Sequence, residues 1–187
     1  KCCEALVHHL DASLGRIWML NEAEQILELQ ASAGLETPVP DSHHRVPVGR
    51  GNIGLVVQRQ QPIFTNDLPD EPAAQDREWA KREGLAAFAG CPLMADGRCV
   101  GVVALFDRNP LNDFTRKALA LAANRIALGI QRKRVEQQLT DTSALQRAIL
   151  NAANYSVIST DVNGRIVTFN HTAERLLGYC AEEVVGK

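Results

Sequence analysis

No apolar run in these 187 residues approaches the roughly 18–20 needed to cross a bilayer, and no signal-peptide pattern opens the chain. An excess of either charge is missing too. Twenty Lys and Arg against 22 Asp and Glu leave a formal net charge of -2, which gives no general reason to expect nucleic acid or an anionic membrane as partner. Cysteine is scarce and irregular: Cys2, Cys3, Cys91, Cys99 and Cys180 are odd in number and unevenly spaced. That usage fits a reducing cytoplasm better than a disulfide framework. Metal-ligand spacing is missing as well. His8-His9 and His43-His44 are the candidate clusters, but neighbours on a helix or strand point apart, and no acid or Cys falls at ligand spacing from either pair. No metal site is therefore expected. Gly49-Arg50-Gly51 lacks the Lys-Ser/Thr that a phosphate loop needs.

Proline is absent from residues 112–150, and the only glycine there is Gly129. The stretch is dense in Ala, Leu, Arg and Gln, so it predicts a long helix, capped at its start by Asn112 or Asp113. Unbroken, it measures about 58 Å at 1.5 Å per residue, several times an ordinary globular helix. Two apolar stripes run along it. Leu119, Ala122, Ala123, Ile126 and Ile130 share one face, which ends where Lys133, Arg134 and Gln137 take over. Leu121, Leu128, Val135 and Ile149 recur at multiples of seven on roughly the opposite side, with Thr142 in the gap and Leu139 and Leu145 flanking. A stripe that stops suits packing on the helix's own domain. A stripe that continues calls for another cover, most simply the same helix of a second subunit; ordinary core or further parts of a longer protein are the alternatives. The companion heptad positions Asn124, Gln131 and Gln138 are polar, so no strict leucine-zipper seam is present. Thr140-Asp141-Thr142-Ser143 offers a cap for a fresh helix, which leaves one helix or two open.

The rest reads as alternating strands and short helices. Residues 1–12 are the end of an amphipathic helix with Ala5, Leu6 and Leu10 apolar. Ile17 to Leu20 and Ile26 to Leu29 predict two strands of a hairpin. Residues 36–47, with Pro38, Pro40 and Pro47, read as loop. A short helix follows to about Gln60, a brief strand at 62–67, and a helix at 74–83 with Gly84 as its C-cap. Strands at 87–94 and 99–106 flank Asp96-Gly97, a strong hairpin signal. Strands first and last with helices between predict an α+β fold on an antiparallel sheet. Beyond the long helix, 157–161 and 166–169 predict two more strands, Asn170 a cap, and Gly178 a helix stop. About 35 residues are too few for a stable core of their own. With no initiator Met and an ending at Gly186-Lys187, the sequence is expected to be a piece of a longer protein.

Particular segments carry a family likeness. Val48-Gly49-Arg50-Gly51-Asn52-Ile53-Gly54 leads into a helix, followed by Pro62-Ile63-Phe64-Thr65-Asn66-Asp67, the hairpin from Cys91-Pro92-Leu93 to Gly101-Val102-Val103-Ala104-Leu105, and a closing Phe114-Thr115 helix. Then come Ile158-Ser159-Thr160-Asp161, Asn163-Gly164-Arg165-Ile166, Phe169-Asn170 and Ala173-Glu174-Arg175-Leu176-Leu177-Gly178-Tyr179. Together these resemble a GAF domain followed by the beginning of a PAS domain. The resemblance implies a GAF-type antiparallel sheet with flanking helices over 1–132, a helical signalling linker over 133–150, and an incomplete PAS domain over 151–187.

It also implies a cytoplasmic sensory region of a bacterial signalling protein, whose output is a GGDEF-type diguanylate cyclase, often with an EAL phosphodiesterase, or a histidine kinase. None of those catalytic motifs lies in this sequence, so no catalytic residue is assigned. A small ligand would sit between sheet and helices, against Ile53, Val56, Phe64, Trp79, Phe88 and Cys91; plain core filling the same space is the other reading. The resemblance names no ligand or cofactor: the Asn-Lys-Phe-Asp-Glu signature of cyclic-nucleotide GAF domains is absent, and no Cys precedes a His as bilin attachment asks. A homodimer through the continuing stripe of the long helix would use Leu121, Leu128, Val135, Leu139, Leu145 and Ile149. An enzyme like the free methionine sulfoxide reductases is the alternative from another class. For that chemistry Cys91 and Cys99 are placed across one predicted hairpin, within reach of each other.

Overall fold

The computed structural model describes residues 2–35, 41–71, 77–152 and 155–187. The chain divides into two compact units, residues 1–131 and 132–187. In the first, helix α1 (Cys2–Leu10) leads into strands β1 (Leu14–Asn21) and β2 (Ile26–Gly34). Then come a helical turn α2 (Asp41–His44), strand β3 (Arg45–Pro47), helix α3 (Gly51–Arg59), strand β4 (Ile63–Thr65) and helix α4 (Arg77–Glu83). Strands β5 (Ala87–Ala95) and β6 (Arg98–Asp107) follow, and helix α5 begins at Asp113. The six strands form one antiparallel sheet in the order β3-β2-β1-β6-β5-β4.

Local chemistry sets the boundaries. Asp96 and Gly97, both with positive φ, form the two-residue link between Ala95 and Arg98, which is why Asp-Gly closes this hairpin. Gly84 sits at φ +71, its N–H donating to Lys81 O and that of Leu85 to Ala80 O, the paired bonds of a Schellman ending. Asn112 Oδ1 accepts from Thr115 N at 2.9 Å and so caps α5.

Period two splits the sheet's side chains between two layers. On one face Ile17, Ala89, Cys91, Leu93, Val103 and Leu105 meet α1 and α5, with Leu119, Ala123 and Ala127 fully inside. Much of this face is Ala or Gly, so the helices approach closely. A Cβ built at Gly15 would lie 3.0 Å from Val7 Cγ2. On the other face Leu14, Trp18, Phe88, Val102, Ala104 and Phe106 meet Ile53, Val56 and Val57 of α3 and Trp79 and Ala80 of α4. The fold is thus α+β, a curled antiparallel sheet between helical layers.

One sequence expectation needs correction here. Residues 36–47 are not all loop. Those at 36–40 lie outside the described residues, but 41–44 form α2 and 45–47 pair with β2 as the edge strand, Leu27 opposite Val46. The prolines misled: Pro47 ends that short strand, where its missing N–H breaks no long ladder. Of the helix expected at 74–83, residues 74–76 lie outside the described residues and 77–83 are α4.

Helix α5 runs as one element, Asp113–Ala152, 40 residues or about 60 Å of helix. It does not restart at Thr140: that hydroxyl donates back to Glu136 O at 3.0 Å inside the helix rather than capping a new one. The second unit takes its last part, together with β7 (Ile158–Thr160) and β8 (Ile166–Phe169), a two-stranded antiparallel pair. Helices α6 (His171–Leu177) and α7 (Ala181–Val184) complete it. Asp161 Oδ1 accepts from Asn163 N and Arg165 N, which makes the β7–β8 turn. Asn170 Oδ1 accepts from Ala173 N and Val157 N, so this one side chain caps α6 and ties it to the residue that leads into β7. No helix among the described residues is long and apolar enough to cross a membrane.

Candidate functional site

The six residues expected to line one pocket fall on two sides of the sheet. Ile53, Val56, Trp79 and Phe88 share the α3–α4 layer. Cys91 and, half-buried, Phe64 belong to the α1–α5 layer. The reason is the strand period: Phe88 and Cys91 are three apart on β5, so their side chains leave opposite faces. The same rule separates Cys91 from Cys99. Cys91 pairs with Val103 and Cys99 with Met94, and the two thiols lie in different layers. The expected approach of these cysteines does not occur.

Burial pushes the Cys91 thiol up to about 11, and burial first, with Cys2 next, does the same for Cys3. Cys99 is also raised by burial, against hydrogen bonding by the backbone at Gly101 and Leu93; its thiol donates to Gly101 O at 3.2 Å. Such thiols stay protonated at neutral pH and are weak nucleophiles. Alkylation of the native protein at neutral pH is expected to stop at the exposed Cys2 and Cys180, counted by mass spectrometry. Fast labelling of any third thiol would show that an inner layer opens.

The α3–α4 layer holds what the sequence reading missed. Leu14, Arg16 and Trp18 project to one face of β1, and Arg16, only 2 % exposed, is carried inside between two apolar neighbours. Its Nε donates to Ser32 Oγ at 3.3 Å, and its guanidinium meets His43 Nδ1. A guanidinium only donates, so Nδ1 is the acceptor and the ring's proton is on Nε2. Arg16 Cζ also lies 5.2 Å from the centre of the Trp79 ring. His43 is likewise buried and packs edge-on to Trp79 at 4.8 Å, while Trp79 meets Phe106 at 5.6 Å and Phe106 meets Phe88 at 5.2 Å, both edge-on. Trp18 Nε1 donates to His43 O at 2.7 Å, fixing α2 onto the sheet.

Phe88 lies over Gly90, where a Cβ would be 2.7 Å from its ring and 3.0 Å from Val56 Cγ2. Asn52 sits one turn before Val56 on α3 and is itself buried. The α3–α4 layer thus holds a wall of aromatic rings with two buried polar side chains against it, Arg16 from β1 and His43 from α2. In the sequence His43 stands only as half of a histidine pair. The readable signal was the alternation Leu14-Arg16-Trp18, which puts an arginine on a buried face.

A concavity of about 390 Å³ opens at the end of the sheet where β1 turns into β2, between Leu20, Val48, Val57, Gln58, Arg98 and Cys99. Among the described residues no group of three or more His, Cys, Asp and Glu is placed to hold a metal ion.

Known proteins share this fold. Residues 1–131 match the GAF domain family and residues 144–187 the PAS fold. An uncharacterised protein of Azorhizobium caulinodans is 31% identical over 107 residues, 56% of this chain and 14% of the relative, so this chain spans a small part of that protein's length. The GAF domain of a phosphoenolpyruvate-protein phosphotransferase from Coxiella burnetii superposes with a TM-score of 0.61 at 24% identity, over 71% of this chain and 80% of that one. A domain described as from a two-component sensor histidine kinase protein of Sinorhizobium meliloti gives 0.58 at 21%, over 74% and 92%. The free methionine-R-sulfoxide reductase of Neisseria meningitidis, in complex with its substrate, gives 0.57 at 20%, over 69% and 74%. At these identities the structures establish the fold alone. With the family match covering 1–131, the chain belongs to the GAF domain family, and a PAS-fold segment follows its GAF domain.

Proposed function

We propose that this chain is the sensory part of a signal-transduction protein. The GAF domain holds a small ligand on the α3–α4 side of its sheet, and α5 acts as the relay by pairing with the same helix of a second copy. One observation carries the reading: α5 has two apolar faces with different fates. Leu119, Ala123 and Ala127 are buried in the GAF core, with Ala122, Ile126 and Ile130 packed beside them. Leu121, Leu128, Val135, Leu139, Leu145 and Ile149 are each 57–69 % exposed. Burying one such side chain is worth about 1.5–3 kcal/mol, so six in a stripe supply a strong drive to associate. Heptad recurrence of Leu121, Leu128, Val135 and Ile149 selects a helix of the same sequence as the cover, since two copies then present matching stripes. A ligand that changes how the GAF core grips the first face alters the register or rotation of the second, and a coupling of about 1–3 kcal/mol is the ordinary size of such a relay.

The output that fits downstream is a diguanylate cyclase, with a histidine kinase as the alternative. The likeness to a domain described as from a sensor histidine kinase, and to one from a methyl-accepting chemotaxis protein, supports signalling without choosing between them. Turnover of free methionine sulfoxide is less well supported, because Cys91 and Cys99 are divided by the sheet.

The test is to place a charge in the seam. Leu128→Asp and Val135→Asp are each expected to give a folded monomer by light scattering, with helix content by circular dichroism retained through the GAF core. An isolated buried carboxylate is disfavoured strongly enough to weaken the dimer by roughly a hundredfold or more. A dimer of unchanged stability in both variants would remove the seam, and with it the relay.

A further inference from the structure

The concavity of about 390 Å³ lies on the α3–α4 side of the GAF sheet: Leu20, Val48, Val57 and Cys99, which line it, all belong to that layer. Its size falls in the roughly 300–1,000 Å³ of small-molecule sites. Glu22 and Arg98 line it as well, with opposite charges. Among the described residues these two form no ion pair with each other or with a third group, whereas the next acids along the chain, Glu24 and Glu28, are both taken by Arg45. The remaining wall is the end of α3, where Gln58 is held over Gly49; a Cβ there would be 3.3 Å from the Gln58 amide. Backbone carbonyls at that end of a helix carry partial negative charge.

We infer that this concavity binds a small zwitterion of the free amino acid class, with an apolar side chain. Its carboxylate lies on the Arg98 guanidinium, its ammonium between the Glu22 carboxylate and the end of α3, and its side chain against Leu20, Val48 and Val57. This rests on the sensory reading above and adds the ligand's chemistry to it. A simple anion is opposed by Glu22 and a simple cation by Arg98, while a neutral molecule leaves both charges unanswered. A molecule carrying both signs a few bonds apart answers both, and guanidinium with carboxylate makes the stronger, two-pronged kind of bond. The position also suits a sensor. Arg98 is the first residue after the Asp96-Gly97 turn, and Asp96 Oδ1 accepts from Gln131 Nε2 of α5. Gln131 is the last residue of the GAF unit. A ligand that draws on Arg98 therefore acts on the turn that holds α5 where it leaves the domain.

The experiment uses the whole chain. The common protein amino acids are screened at millimolar concentration by thermal shift. The best binder is then taken to calorimetry beside its two halves, the amine without the carboxylate and the acid without the amine; for leucine these are isopentylamine and 4-methylpentanoate. At least one amino acid with an apolar side chain is expected to bind, and each half about tenfold more weakly, the loss that goes with one charged hydrogen bond. In Arg98→Gln the amino acid is expected to bind no better than its amine half, and in Glu22→Gln no better than its acid half. Both residues are exposed, so neither change is expected to disturb the fold. No amino acid binding, halves that bind as well as the whole, or an affinity indifferent to both substitutions would each overturn the assignment. The sensory reading is judged separately. An amino acid that binds here without altering hydrogen exchange in α5 around Gln131 would keep the site and sink the relay. A compound of another charge type that alters α5 and ignores both substitutions would do the reverse.

Discussion

Trp18→Ala is expected to destabilise the GAF domain by about 3–5 kcal/mol, the range for removing a large buried aromatic. Trp18 is fully enclosed on the α3–α4 face and stands opposite Val102 on one neighbouring strand and Leu29 on the other. Truncation leaves a void that strands on both sides hold open, because neither can move inward without breaking its ladder. It also strips His43 O of its donor at 2.7 Å, so α2 loses its anchor to the sheet. Small domains have about 5–15 kcal/mol in all, so the variant stands near the edge of folding. Urea unfolding followed by circular dichroism measures it. Trp18→Phe separates the two contributions: it keeps most of the ring, loses the N–H, and is expected to cost about 1–2 kcal/mol. If Trp18→Ala unfolds within about 1 kcal/mol of the parent, the enclosed packing described for β1 is wrong.

Gly54→Ala is expected to be nearly as damaging, and against the sign that helix propensity predicts. Inside a helix, Gly to Ala normally stabilises by about 0.5–1 kcal/mol. At Gly54 a Cβ would lie 2.3 Å from Pro47 O and 3.0 Å from Gly49 N. Both are backbone atoms, in the segment that runs from β3 into α3, and backbone cannot rotate aside as a flexible side chain can. The substitution forces α3 off its seat and takes Ile53, Val56 and Val57 with it, for a net loss of about 2–3 kcal/mol. Gly129→Ala on α5 is the control, since nothing lies within 4 Å of a Cβ there. It is expected to stabilise by a few tenths to about 1 kcal/mol. Opposite signs from one chemical change isolate the tertiary contact. Two stabilising results would mean that α3 does not press on residues 47–49.

How far the fold could be read ahead of the structure depended on distance along the chain. Asn112 as a cap, Gly84 as a helix stop and Asp96-Gly97 as a hairpin were all legible, because each bonds within a few residues of itself. The first stripe of α5 was legible from its period, and Ala127 is buried beside its Leu119 and Ala123. The α2–β3 segment was not legible, since β3 exists only where β2 offers its edge, and Val46 is its single strong apolar mark. The six residues expected to line one pocket are divided by the sheet. Choosing residues by apolar character put Phe88 and Cys91 in one cavity, whereas counting along β5 would have parted them.

What the sequence determined by itself was most of the local elements and the two-faced helix, since caps, turns and periodicity are settled by neighbours within one or two turns of chain. What only the tertiary structure decided was the inside of the site. Arg16 and His43 are 27 residues apart, and Trp79 and Phe106 join them from two further elements. Nothing local prefers that company. It forms because closing the sheet leaves one enclosed face where buried polar groups must find one another, and where Trp79 Nε1 is left asking for an acceptor.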